Sequence, residues 1–379
     1  MSKRPTPKPE GEYAVGTKTF TIYDDREETI YCAPGTMRCI SARVYYPVTK
    51  ESVERLEKAR YMSREMARAV TKNMKFPINY DKEEKRGNNV SECYENAPYI
   101  AGCKFPLLLF SHGLGSYREA NSYLLTELAS QGYVVISIAH PYEAMLVELD
   151  NGTNIPMAKG LTKKCYDPVI KSVRAIKKMM KETGTNEELF AKFEAMQKTY
   201  NRFLIERIPE WEKDTISILS YAEKKLADIV DLSYGTGVFG HSYGGATAFA
   251  LCEDHPDMFT CGINMDGGLF GEHEGKITKV PFLQLNCEAN ATTVTRGFFR
   301  HTKPAYHAVM KGMEHVGFSD LKYHIPLKSM VGKLDADVAH NEVCHICREF
   351  FDSYLKKTKE KPDLKSDETV TFTEYAPDM

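Results

Sequence analysis

Read for alternation and runs of apolar residues, the chain shows eight strand-like segments: Thr19 to Tyr23, Ser41 to Tyr46, Pro106 to Phe110, Tyr133 to Ala139, Gly237 to Gly240, Cys261 to Asp266, Pro281 to Asn286 and Tyr306 to Met310. From the third onward most are short and continuously apolar, as strands buried on both faces of a parallel sheet must be. Helical patterns between several of them predict βαβ crossovers. Two intervals, residues 51–100 and 141–236, are too long for a minimal crossover and must hold insertions with structure of their own. The second is helical by pattern. Asp167-Pro168 reads as a start signal, and apolar positions recur through Leu189, Phe190, Phe193, Met196, Phe203 and Leu204, then Ile218, Leu219, Tyr221, Ala222, Leu226 and Ile229. These helices are either a cap beside an active site or packing layers over the sheet. The expectation is an α/β chain: a mostly parallel eight-stranded sheet flanked by helices over residues 18–356, with a loose Pro- and Lys-rich arm at 1–17 and a charged tail at 357–379.

Composition narrows the partners. Of 379 residues 42% are hydrophobic, enough for one large core, and Lys plus Arg (50) nearly balance Asp plus Glu (52), giving a formal charge of -2. No overall basic field exists to hold nucleic acid. The first residues are charged but carry no apolar stretch after them, and the apolar runs are shorter than the ~20 residues a membrane span needs, so a soluble, cytoplasmic protein is expected. The 10 cysteines are scattered, several inside apolar runs, and read as reduced core residues. Sequons at Asn89, Asn151 and Asn290 carry no meaning without a secretory route.

The densest local signal is Val238-Phe239-Gly240-His241-Ser242-Tyr243-Gly244-Gly245-Ala246-Thr247: an apolar strand end, G-x-S-x-G, and a small-residue helix. Such a turn presents the Ser242 hydroxyl above a helix N-terminus, where developing negative charge is favoured. A second element, Phe110-Ser111-His112-Gly113-Leu114-Gly115, ends the third strand. A tetrahedral oxyanion needs preorganised N–H donors, one following the nucleophile and one from this earlier loop, which nominates Tyr243 and Leu114. Two carboxylates fit as the acid: Asp266 ends the strand after the nucleophile strand, and Glu288 ends the next. For the base, His315 lies among glycines just beyond the last strand, where an imidazole can reach Ser242. His307 is inside that strand and His273 comes too early, so both read as structural.

Taken together, Ala42-Arg43-Val44-Tyr45-Tyr46-Pro47, Phe110 to Gly115, Gly240 to Thr247, Met265-Asp266 and Glu314-His315 resemble the plasma and intracellular type II platelet-activating factor acetylhydrolases, over about residues 11 to 356. The resemblance implies an α/β-hydrolase fold and a triad of Ser242, Asp266 and His315, because this family takes its acid just after the strand following the nucleophile. It implies hydrolysis of short acyl esters of phospholipid-like substrates through an acyl-enzyme, with no metal or organic cofactor. Two positions depart from the family pattern: Gly267-Gly268-Leu269-Phe270 stands where an aromatic often follows the acid, and Tyr243 stands where phenylalanine is common. Other ester hydrolases of the same fold, a dienelactone-type hydrolase, a serine peptidase and a non-catalytic binding relative are the alternatives. The dienelactone type would put cysteine at Ser242, and a binding relative would lack part of the triad.

Two further patterns have simpler readings. Cys344-His345-Ile346-Cys347, with His340 upstream, has zinc-like spacing, but Val343, Ile346, Cys347, Phe350, Phe351 and Tyr354 form the apolar stripe of a C-terminal helix. In residues 163–181, Val169, Val173, Ile176 and Met180 recur at helical spacing among Lys171, Arg174, Lys177, Lys178 and Lys181. Such a helix either packs its stripe on the sheet, the simpler reading, or rests weakly on an anionic lipid surface.

Overall fold

A computed structural model describes residues 6–376 other than 29, 76–77, 180, 274, 296–299 and 326, and leaves out the side chains of a few helical residues. The chain forms two compact units, Met1–Ala158 with Asp214–Ser233, and Lys159–Lys213 with Tyr234–Met379.

The first unit carries strands β1 (Ala14–Glu27), β2 (Met37–Val48), β3 (Lys58–Arg60), β4 (Val90–Glu95), β5 (Leu107–Ser111) and β6 (Val134–Ala139), in the order β5-β6-β2-β1-β4-β3. Strands β5 and β6 pair in parallel, while β2 runs antiparallel to both β6 and β1. Leu107, Leu108, Leu109 and Phe110 are all fully buried, which is why this stretch is apolar without alternation. A separate hairpin joins β7 (Leu146–Glu148) to β8 (Asn154–Pro156). The 51–100 interval supplies β3, β4 and helices α1 (Arg64–Met74) and α2 (Tyr80–Lys85); α3 (Ser122–Ser130) follows β5. Helix α1 starts where the Ser63 hydroxyl accepts the Met66 N–H, and it buries Met66 and Val70 against Tyr117, Ala120, Met145 and Leu146.

In the second unit the 141–236 interval supplies α4 (Leu161–Met179), α5 (Asn186–Tyr200) and the first half of α6 (Arg202–Lys225). Helix α5 opens with a capping box between Thr185 and Glu188. Helix α4 begins earlier than Asp167-Pro168: Leu161 and Cys165, both buried, carry it back, and Pro168 lies inside it. Of the basic amphipathic stretch, Met180 and the side chains of Val169, Val173, Arg174, Ile176 and Lys177 lie outside the described residues.

The rest of this unit is a sheet ordered β13-β12-β11-β10-β9, built from β9 (Thr236–His241), β10 (Cys261–Met265), β11 (Phe282–Cys287), β12 (Ala305–Met310) and β13 (Val370–Tyr375). Strands β9 to β12 are parallel; β13 returns antiparallel on β12. Helix α7 (Tyr243–Asp254) follows β9, α8 (Glu288–Thr295) follows β11, and α9 (Lys328–Val331) and α10 (Ala336–Phe351) come between β12 and β13. Helix α10 buries Val343, Ile346, Cys347, Phe350 and Phe351, so the C-x-x-C pair sits in a packed stripe.

All eight expected runs are strands. The sheets also recruit β3, β4 and β13: the edge strands β3 and β13 have little to bury, β13 only Val370, and β4, though it lies between β1 and β3, buries only Ser91 and Cys93. The segment expected to be a loose arm is tied down from residue 10, where the Glu10 N–H meets Glu127 (2.7 Å) and the Gly11 N–H meets the Ser130 hydroxyl (3.0 Å).

Candidate active site

The turn after β9 places Ser242 at φ 57°, ψ -120°, a conformation that disfavours a side chain and is strained by roughly 1–3 kcal/mol. The surroundings hold it there. Its N–H donates to the Met265 carbonyl (2.8 Å), and its own carbonyl accepts from Ala246 as α7 begins (3.1 Å). Two glycines make this packing feasible. A Cβ on Gly245 would sit 2.0 Å from Asn264 Oδ1, and one on Gly267 would sit 2.1 Å from the Ser242 carbonyl oxygen. Asn264 spans the next turn, accepting the Gly267 N–H at 2.8 Å and donating to the Gly267 carbonyl at 3.1 Å.

That second turn holds Asp266, also left-handed at φ 56°. Its side chain is fully enclosed and accepts the Cys287 N–H (2.8 Å) on one oxygen and the Asn290 amide (2.8 Å) on the other. His315 opens a 3₁₀ turn, His315–Phe318, beyond β12. Its Nδ1 lies 2.6 Å from Asp266 Oδ2 and its Nε2 lies 3.0 Å from Ser242 Oγ. The three residues assigned from sequence are thus one hydrogen-bonded chain within the second unit.

Electrostatics fix the proton arrangement. Burial alone would raise the Asp266 pKa, but its hydrogen bond and charge interaction with His315, with Cys287 and Asn290, hold it below the ordinary carboxylate range. Burial would lower His315, yet Asp266 outweighs it and holds the imidazole above the ordinary histidine value. Asp266 therefore accepts a hydrogen bond from Nδ1–H, and Nε2 is left to accept one from the Ser242 hydroxyl.

Sequence reasoning did not single out His241. Its Nε2–H donates to the His315 carbonyl (3.0 Å), and burial, reinforced by His315, pulls its pKa down to about 3, so it is a neutral prop under the His315 backbone. Asn264, Cys287 and Asn290 were also missed. Only Asn264 carried a local sign, as an Asn three residues before a glycine at a strand end.

The other candidates fall elsewhere. Glu288 is exposed at the start of α8 and accepts the Gly312 N–H (3.0 Å). His307 bonds to Asn286 (3.1 Å) inside the sheet, and His273 bonds to Glu253 (2.5 Å). Leu114 lies in the loop after β5, in the first unit, and Tyr243 is the first residue of α7, in the second. The Tyr243 side chain is anchored: its hydroxyl donates to the Leu204 carbonyl in α6, and its ring meets Trp211 edge-on at 4.8 Å. Gln197 of α5 also donates to the Leu269 carbonyl (3.0 Å), so the insertion helices brace the segments following both Ser242 and Asp266. Among the described residues no three His, Cys, Asp or Glu side chains are grouped to hold a metal ion. None of the described helices is long and apolar enough to cross a membrane.

Known proteins resemble this chain in sequence and in fold. The chain is 27% identical over 286 residues to a platelet-activating factor acetylhydrolase of Cavia porcellus, covering 69% of this chain and 60% of that one. It is 26% identical to the protein of the same name from Gallus gallus (69% and 64%) and 24% identical to a probable 1-alkyl-2-acetylglycerophosphocholine esterase of Arthroderma benhamiae (60% and 47%). The matches thus span less than two-thirds of these relatives' own length. A ferulic acid esterase structure from Streptomyces cinnamoneus superposes with a TM-score of 0.72 at 21% identity, covering 97% of this chain and 98% of that one, which shows the α/β-hydrolase fold. The family described as platelet-activating factor acetylhydrolase, isoform II, matches residues 1–370, nearly the whole sequence, and the chain belongs to that family.

Proposed function

We propose that the protein is a serine-dependent carboxylic ester hydrolase that cleaves short acyl esters of phospholipid-like alcohols. The observation that carries this is the unbroken chain from Ser242 Oγ through His315 to the enclosed Asp266, at 3.0 and 2.6 Å. His315 takes the hydroxyl proton as Ser242 attacks the ester carbonyl, and Asp266 holds the imidazole tautomer and stabilises the imidazolium. The N–H groups of Leu114 and Tyr243 receive the oxyanion. His315 then returns the proton to the leaving alcohol, and water repeats the sequence on the acyl-enzyme. None of these steps draws on a metal or organic cofactor. The short-acyl preference rests on family membership.

Ser242→Ala should lower esterase turnover by several orders of magnitude and abolish fluorophosphonate labelling while the protein stays folded. Turnover surviving within about tenfold would sink the reading. A matched series of acetyl, butyryl and palmitoyl glycerophospholipids should be cut in falling order, and equal or faster palmitoyl cleavage counts against the substrate class. Weak contact with an anionic lipid surface belongs to the same proposal. Lys163, Lys164, Lys171, Lys178 and Lys181, on α4 and just after it, are exposed, and each basic residue near such a surface contributes about 1 kcal/mol. Sedimentation with anionic vesicles should weaken in the variant Lys171→Glu, Lys177→Glu, Lys178→Glu; unchanged binding leaves α4 as a packing helix.

A further inference from the structure

The first unit holds a second Ser–His–Asp chain, and it is sealed from substrate. Ser111 Oγ lies 3.1 Å from His140 Nε2, and His140 Nδ1 lies 2.8 Å from Asp214 Oδ2. Ser111 is 2% exposed and the other two are 0%. Ser111 is also the last residue of a regular strand, without the left-handed turn that presents a nucleophile. This chain therefore serves something other than attack on substrate.

Its direction is set by charge. Arg38, fully buried, grips the Asp214 carboxylate with Nε and Nη2, both at 2.7 Å, and Arg26 adds a third contact at 2.7 Å. Arg38 in turn bonds to Glu28. Burial would push the Asp214 carboxyl up, but Arg38 and His140 hold it far below the ordinary range. The ionised carboxylate takes the Nδ1–H of His140. Burial, together with the Arg38 charge, keeps that imidazole below its ordinary pKa against the pull of Asp214, so it is neutral. Its Nε2 is then an acceptor, and the Ser111 hydroxyl donates to it.

The same turn reaches the chain on the far side of Leu114. The Glu143 and Ala144 N–H groups close the turn on the His140 carbonyl at 3.3 and 2.8 Å, with Tyr142 held at φ 66°. The Glu143 carbonyl then accepts the Gly115 N–H at 2.8 Å. The His140–Ala144 turn thus grips residue 111 through an imidazole and residue 115 through a carbonyl. Leu114 is suspended between them.

We infer that His140, locked by Asp214 and Arg38, is a positioning residue that sets the orientation of the Leu114 N–H through Ser111 and the Glu143 carbonyl. This rests on the reading of Leu114 as an oxyanion donor. A peptide N–H tilted away from a developing oxyanion weakens transition-state binding while leaving substrate binding nearly intact.

The test pairs Ser111→Ala with His140→Asn, whose amide nitrogen replaces Nδ1 toward Asp214 but offers Ser111 no acceptor at the Nε2 position. Turnover is expressed per active serine, counted by fluorophosphonate titration. Each variant should lose about tenfold to a hundredfold in kcat with KM within about twofold, because a misplaced donor costs less than a deleted one. Affinity for a trifluoromethyl ketone, whose tetrahedral adduct carries an oxyanion, should weaken by a similar factor. The double variant should lose no more than either single one, since both cut the same link. A lower melting temperature with unchanged kcat per active serine and unchanged ketone affinity overturns the inference and leaves His140 a structural residue. Ser242→Ala, run in parallel, separates the two levels. If it retains turnover, the esterase reading itself fails. If it abolishes turnover while Ser111→Ala keeps full kcat and ketone affinity, only the positioning role fails.

Discussion

Two carboxylates ended adjacent strands in the sequence, and what separates them is where each backbone turns. The register pairs Met265 with Leu285, so Asp266 is level with Asn286 and doubles back at φ 56°, while Glu288 has already entered the first turn of α8. Neither φ nor register is written in a local motif, which is why residue types alone left both open and family resemblance was needed to choose. The serine was legible because its turn demands glycines on either side. The props were not: His241, Cys287 and Asn290 act through partners distant in sequence. Asp266→Asn should lower kcat/KM about 10⁴-fold, whereas Glu288→Gln should change it little. The pH profile carries a second signature. In the proposed mechanism His315 must be neutral to accept a proton, and Asp266 holds its pKa above the ordinary value, so the acid limb is expected on the alkaline side of that value. In Asp266→Asn only burial remains and the limb should move to lower pH. An unmoved limb, or a larger loss from Glu288→Gln, transfers the acid role.

Helices and strands were legible in proportion to how much they bury. The central strands announce themselves as apolar runs; β3, β7 and β8 are three residues long, β13 lies at an edge, and β4 buries only Ser91 and Cys93, so none of them stands out. Pro168 misled the reading of α4 in the opposite sense, since buried Leu161 and Cys165 extend the helix across it. Helix α6 carries a buried acid that neither pattern nor motif marks. Glu212 is 5% exposed, and burial, with Asp254 and Glu253 nearby, pushes its carboxyl up to about 8 against the opposing pull of Lys276 and Lys213. The folded state therefore holds a proton there that the unfolded chain releases near pH 4.5. Stability contributed by this site is full below that pH and falls as pH rises toward 8, by about 3 kcal/mol at pH 7 at 1.36 kcal/mol per unit. Glu212→Gln, which keeps the shape without the charge, should raise the melting temperature at pH 8 and leave it nearly unchanged at pH 4.5. Equal shifts at both pH values would show that Glu212 is not the titrating group.

At the scale of the whole molecule, the tail that composition marks as charged, in which Val370-Thr371-Phe372 could form either a short extra element or none, closes a sheet. Strand β13 pairs over its full length with β12, seats Val370 in the core and stacks Phe372 on Tyr306 at 5.6 Å. Ending the chain after Lys359 should lower stability by roughly 2–4 kcal/mol, from the lost burial and ring stacking, and leave the β12 edge open to pairing between molecules. Thermal melts and light scattering would report it, and an unchanged melt with no association would mean the strand is dispensable. The chemistry is arranged differently from this border. Ser242, Asp266 and His315 all fall in one stretch, 237–318, and both long intervals between the expected strands close before it begins. On the proposed assignment, a segment exchange that moves this one stretch moves all three members of the triad together, but the helices that brace Tyr243 and Leu269 belong to a separate stretch of chain and do not travel with it.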